Sequence, residues 1–232
     1  MLSTIFSGFK VIKVHKIFIG GILFLSACHN PCYNYTYSHK KLVRYNKQEF
    51  DVYDFRPHEV VASIGASSGW FEIASSVFTD SLTFYIQDIE RECINVQKVK
   101  KLEKFYTRVR RKPMTNRFIP VLGNETQLCL SENTCDKVLL RLSFHEFSHP
   151  DDLMQNIKAI LKEGGILYIT ENIAAYTGEP DKGCGYPLWE LKSLIAKIES
   201  YGFVFLQVYN PHCPGFTEYD PLDTYRVFAF KK

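Results

Sequence analysis

From Val60 onward, short β-branched apolar runs alternate with longer segments of helical period, and this alternation restricts the chain more than any other feature. The series opens with Val60, Val61 and Ile64, a buried-strand pattern. The loop Gly65-Ala66-Ser67-Ser68-Gly69 follows, and Trp70-Phe71 begins a small-residue helix over 71–77. Further strands are expected at 82–86 (finishing at Asp88), 118–122, 138–142, 166–170, 203–208 and 225–230. Helices are expected at 90–112, 151–162 and 187–200, with Gly164-Gly165 and Gly202 as stops for the last two. Strands separated by helices cannot pair as hairpins, so they form a parallel sheet covered on both faces. Only a Pro- and Gly-containing loop, 210–223, separates the last two strands, which makes the final one antiparallel to its neighbour. The expected class is α/β: a doubly wound, mostly parallel seven-stranded sheet with a terminal antiparallel β-hairpin, all in one domain over 48–232.

The first 47 residues read differently. Lys10, Lys13 and Lys16 precede an apolar run, 17–25, that is short for a bilayer span and ends in Leu25-Ser26-Ala27-Cys28. This pattern resembles a bacterial lipoprotein signal peptide (1–27), with Cys28 lipidated after cleavage; an uncleaved membrane anchor and a plain apolar N-terminal element are the alternatives. Residues 28–47 are polar and tyrosine-rich and read as a tether. The implied location is the cell envelope, membrane-anchored and facing the periplasm or exterior. Without the signal the chain holds 25 basic and 25 acidic residues, which gives no reason to expect nucleic acid as a partner. The basic run from Lys98 to Lys112 reads as a solvated helix face. Beyond Cys28, six cysteines remain, compatible with disulfides in an oxidising space or with buried and free thiols.

The strand-end motifs resemble those of the class I S-adenosylmethionine-dependent methyltransferases, whose Rossmann-like fold has seven strands and a terminal hairpin. Ser63 stands at the position usually held by an acid. Gly65, Ser67 and Gly69 stand at the three glycines of the first motif, with Ala66 between the first two. Asp88, followed by Ile89, matches the acid that holds the cofactor's ribose hydroxyls. Gly123-Asn124-Glu125 resembles the element that reaches the adenine amino group. The sequence from Asp136 through Arg141 to His145-Glu146-Phe147 resembles the fourth strand and its following loop. Leu161-Lys162-Glu163-Gly164-Gly165-Ile166-Leu167 resembles the family's Leu-Lys-Pro-Gly-Gly-x-Leu.

The resemblance implies S-adenosylmethionine as cofactor, bound by Ser63, Gly65, Ala66, Ser67, Gly69, Asp88, Ile89, Asn124, Glu125 and Arg141. Methyl transfer then depends mainly on holding donor and acceptor in line. His145 and Glu146 are the candidate catalytic residues, with Glu171 beside them. The acceptor, a small molecule or a protein, is not readable. The alternative function is a non-catalytic methyltransferase-fold lipoprotein serving as a ligand-binding or interaction module. Segments 172–186 and 210–223 are expected to overhang the site. They bring Cys184 near His212 and Cys213, a plausible Cys184–Cys213 disulfide; no ligand spacing supports a metal site.

Overall fold

The computed structural model describes residue 32, residues 34–211 and residues 224–232. The signal peptide, Cys28, His212 and Cys213 lie outside the described residues, as does most of the 210–223 loop. Among the described residues no helix is long and apolar enough to cross a membrane.

Seven strands form one sheet: β1 (Val60–Ile64), β2 (Thr83–Asp88), β3 (Arg117–Leu122), β4 (Cys135–Arg141), β5 (Leu161–Asn172), β6 (Val204–Tyr209) and β7 (Tyr225–Lys231). Their order is β3-β2-β1-β4-β5-β7-β6, with β1 to β5 parallel and β7 antiparallel to both β5 and β6. The fold class expected from the sequence is the one observed. The order reverses between β1 and β4, and at such a switch point an open sheet gathers ligands beyond its strand C-termini.

Strand side chains alternate between two cores. Val61 of β1 joins a cluster with α1 (His39–Tyr45), α2 (Lys47–Val52), α3 (Trp70–Ser75) and α4 (Val96–Arg110). Ala62 and Ile64 join the opposite cluster with α5 (Pro150–Ile160) and α6 (Leu191–Ser200). Each of α4, α5 and α6 presents an apolar stripe at helical spacing, such as Leu153, Ile157 and Ile160 of α5. Asn95 caps α4 by accepting the Lys98 N–H at 2.9 Å, which starts the helix six residues later than expected.

Three expectations are corrected. Residues 34–47 are not a loose tether. Helices α1 and α2 bury Leu42, Phe50 and Tyr53, and Tyr35 and Tyr37 pack edge-on against Trp70. A Cys32–Cys93 disulfide ties this segment to the loop after β2.

Gly164-Gly165 does not stop α5, which ends at Ile160. Leu161 is already extended and pairs with Cys135; the register then slips so that Lys137 faces Ile166. The glycines lie in this irregular stretch, where a Cβ on Gly165 would come within 2.9 Å of the Lys162 carbonyl oxygen. The basic run on α4 is not wholly solvated either. Arg110 is buried and paired with Asp80, which also accepts from Lys112 at 2.6 Å and Thr115 at 2.7 Å. Those donors hold the Asp80 carboxyl well below the usual carboxylate range, the Lys112 and Thr115 bonds first and Arg110 after them.

Candidate cofactor and acceptor site

The loop after β1 is shaped by its glycines. Gly65 and Gly69 both have positive φ, 68° and 72°. A Cβ on Gly65 would come 2.7 Å from Ser143 Cβ, and one on Gly69 would come 2.6 Å from Ile86 Cδ1. Ser67, at the middle glycine position, also adopts a left-handed φ of 53°. The loop is tied to β2: Ala66 N–H donates to the Gln87 carbonyl at 3.0 Å and Ser67 N–H to Asp88 Oδ2 at 2.6 Å.

Asp88 Oδ1 accepts the Glu90 N–H at 2.8 Å. The carboxylate therefore both caps the turn that follows it and pins the loop. Each oxygen retains a further lone pair. Two apolar side chains flank it: Ile89, 48% exposed, and Leu122, 39% exposed and in register with Asp88. Exposed apolar groups on either side of a carboxylate at a strand end suit a flat base and a diol.

The other proposed cofactor residues fare unequally. Asn124 Oδ1 accepts the N–H groups of Thr126 and Gln127 at 2.9 and 2.8 Å, so this oxygen shapes its own loop. Glu125 is exposed, 3.5 Å from His149 Nε2. Arg141 is engaged elsewhere. Its guanidinium donates to Glu49 at 2.8 and 3.2 Å and stacks on Phe71 with 4.1 Å to the ring centroid. Burial pulls its pKa down, yet the Glu49 charge raises it well above the ordinary value. Tyr53 adds a 2.7 Å bond to the same carboxylate. The pair locks α2 onto the end of β4, a role that buried arginine suits.

Ser63 is buried and donates to Glu72 Oε1 at 2.6 Å. Glu72 is buried on α3, and its Oε2 has no hydrogen-bond partner among the described residues. Burial raises its pKa. A carboxylate thus lies within reach of the strand position where an acid was expected, but is carried on the following helix. Sequence reasoning missed Glu72 because a glutamate in a first helical turn reads as an ordinary dipole partner.

His145 occupies the single 3-10 turn Phe144–Glu146 beyond β4. Its side chain is almost fully buried, and Nδ1 lies 2.6 Å from Glu171 Oε2. Glu171 Oε1 accepts the Phe144 and His145 N–H groups at 2.9 and 3.3 Å. Burial lowers the His145 pKa, but the bond and charge of Glu171 raise it further, for a net rise. Burial pushes Glu171 up while those same bonds draw it back. His145 Nε2 faces Cys184 Sγ at 3.3 Å, across from the segment between β5 and α6. Glu146 is half exposed, 3.9 Å from Nε2. Among the described residues Cys184 is a free thiol, pushed up to about 11 by burial first and then by Asp181 and Glu146 nearby. Its expected partner, Cys213, lies outside the described residues.

A separate shallow cavity lined by Asp54, Arg56, Lys137 and Lys162 lies at the opposite, N-terminal end of β1, β4 and β5. It is far from where the strand-end motifs converge.

Residues 79–169 match a family model described as a methyltransferase domain. No curated protein sequence matches the chain. Among solved structures, a SAM-dependent methyltransferase from Aquifex aeolicus is 16% identical with a TM-score of 0.60, covering 84% of this chain and 93% of that one. A SAM-dependent methyltransferase from Thermotoga maritima is 14% identical at TM-score 0.54, covering 82% and 90%. The [4+2]-cyclase SpnF is 16% identical at TM-score 0.57, covering 87% and 89%. The chain has the class I methyltransferase fold. Residues 79–169 thus match a methyltransferase domain, and the whole fold is shared with solved SAM-dependent methyltransferases.

Proposed function

We propose that this protein transfers a methyl group from S-adenosylmethionine to an acceptor bound beside His145. The observation that carries the reading is the strand-end constellation: a tight Gly65–Gly69 loop, the Asp88 carboxylate, and the exposed Ile89 and Leu122 beside it. The bare Cα of Gly65 and of Gly69 keeps the loop close to the sheet. Asp88 holds a ribose diol by charge-assisted bonds. Glu72 supplies the acid that Ser63 lacks, its unpartnered oxygen receiving the ammonium of the cofactor's amino-acid end. The bound cofactor supplies an electrophilic methyl on a sulfonium. His145, backed by Glu171, takes a proton from the acceptor where the acceptor carries one.

Calorimetric titration with S-adenosylmethionine and with adenosine tests this. Asp88→Asn should weaken both ligands by about 1.5–3 kcal/mol, the range for hydrogen bonds to charged groups. Glu72→Gln should weaken S-adenosylmethionine alone. No detectable heat from wild-type protein at millimolar ligand would sink the reading.

A second reading is favoured by Ser67, which puts a side chain in the middle of the loop. On it the fold is a ligand-binding module, and binding without turnover would support it. The [4+2]-cyclase SpnF shares the fold, so the fold by itself does not dictate methyl transfer.

We also infer that the chain is exported and held to a membrane by lipid on Cys28. Leu25-Ser26-Ala27-Cys28 and the Cys32–Cys93 disulfide support this, since structural disulfides persist in oxidising compartments. An intact Met1 in mass spectra of the native protein would refute it.

A further inference from the structure

Beyond β4 and β5, three side chains of different chemistry converge. His145, Asp181 and Cys184 each aim a ligating atom at one point, and these atoms lie within 4.8 Å of one another. Cys184 Sγ is 3.3 Å from His145 Nε2 and 3.7 Å from Asp181 Oδ1. Around a tetrahedral zinc ion, bond lengths of about 2.3 Å to sulfur and 2.0–2.2 Å to nitrogen or oxygen place neighbouring ligand atoms about 3.5 Å apart. The two separations from sulfur bracket that value, and the His145 and Asp181 atoms lie within 4.8 Å of each other.

The surroundings hold these groups as a metal site needs. Glu171 fixes the His145 ring through Nδ1 at 2.6 Å, leaving Nε2 to ligate, the carboxylate–histidine arrangement that orients and strengthens a metal-bound imidazole. Asp181 is held by the Gly183 N–H on Oδ1 at 2.6 Å and by the Asn172 amide on Oδ2 at 3.3 Å, which ties the loop to the end of β5. Asp181, Glu146 and Glu171 crowd three carboxyl groups around one imidazole, and a divalent cation relieves that crowding.

We propose that His145 Nε2, Asp181 and Cys184 form a binding site for a divalent transition-metal ion, zinc by the mixed sulfur, nitrogen and oxygen set. Three protein ligands leave a fourth position for water, a substrate heteroatom or the Glu146 carboxylate. The thiol binds as thiolate, its proton going to solvent as the Zn–S bond forms. The sequence spacing concealed the site: its ligands are 36 and 3 residues apart and meet only because the β5–α6 segment folds back over the turn after β4. With an ion on Nε2 and Glu171 on Nδ1, His145 has no lone pair left for a proton, so metal binding and proton transfer by His145 are alternative states of one site; the metal's test needs no cofactor.

The test is zinc binding to the reduced full chain, measured by competition with a chromophoric chelator, and cobalt binding, followed by its spectrum. One ion per chain is expected, with a thiolate-to-cobalt charge-transfer band that Cys184→Ser abolishes. Glu171→Gln should weaken zinc about 10–100-fold, and Asp181→Asn, which removes a ligand, at least as much. Cys129→Ser, at an exposed thiol remote in sequence, should change neither. Circular dichroism checks that each variant is folded. Should Cys184→Ser fail to fold, X-ray absorption of the zinc-loaded wild type decides: one sulfur with nitrogen and oxygen neighbours supports the site. A shell without sulfur, the absence of stoichiometric zinc, or wild-type affinity in folded Cys184→Ser would each overturn it.

Discussion

The Cys32–Cys93 disulfide makes a demanding prediction for stability. It closes a loop between residues 61 apart in sequence, so it restricts the denatured chain far more than the native one. Loop-closure entropy for that length amounts to about 4 kcal/mol at 25 °C. For a protein of this size each kcal/mol moves the melting temperature by about 2–4 °C, so the double variant Cys32→Ala/Cys93→Ala should melt roughly 8–16 °C lower. Urea unfolding followed by tryptophan fluorescence is the assay, because Trp70 lies against Tyr35 and Tyr37 in the clamped segment. The slope with urea should also steepen, since the uncrosslinked denatured chain exposes more surface. A variant within about 1 kcal/mol of wild type with an unchanged slope would refute the reasoning.

Two further expectations concern the sheet and its edge. Gly65→Ala should destabilise by about 2–5 kcal/mol in urea melts, combining a left-handed alanine with overlap against Ser143; an unchanged midpoint would show that the loop moves aside freely. Asp80 should govern part of the acid limb of stability. Its folded pKa is depressed, so its contribution is present above the unfolded carboxylate value, about 3.9, and is lost as pH falls through the lower folded one. Asp80→Asn should flatten the fall in stability below about pH 4, and an unaltered pH profile would remove Asp80 from that role.

Much of this was legible in the residues, and the failures have physical causes. Strands such as Val60–Ile64 and Tyr225–Lys231 announce themselves because burial on both faces leaves continuous apolar runs. Helix α1, in the stretch read as a tether, did not. The buried positions running from it into α2 and just beyond, Leu42, Asn46, Glu49, Phe50 and Tyr53, keep a helical period, but two of the five are polar. Glu49 is buried because Arg141 lies 92 residues away in sequence and 2.8 Å away in space, a pairing no local pattern reveals. The grouping of His145 with Glu171 was legible, since both follow strands that end at the same edge. Asp181 and Cys184 were not, because a long loop has no period to place it. The family-model match begins at residue 79, beyond the first glycine loop, even though that loop's backbone takes the tight turn the motif describes. Serines at 63 and 67 blur the sequence pattern and leave the turn in place.

The disulfide also sets how the molecule bears load. For tension applied ahead of Cys32 and at the far end of the chain, the shortest covalent path crosses the sulfur–sulfur bond to Cys93 and bypasses everything between. Helices α1 to α3, strands β1 and β2, the Gly65–Gly69 loop and Asp88 all lie within that bypassed ring. A pull on the N-terminus therefore passes covalently to the loop after β2 without running along the backbone of the glycine turn.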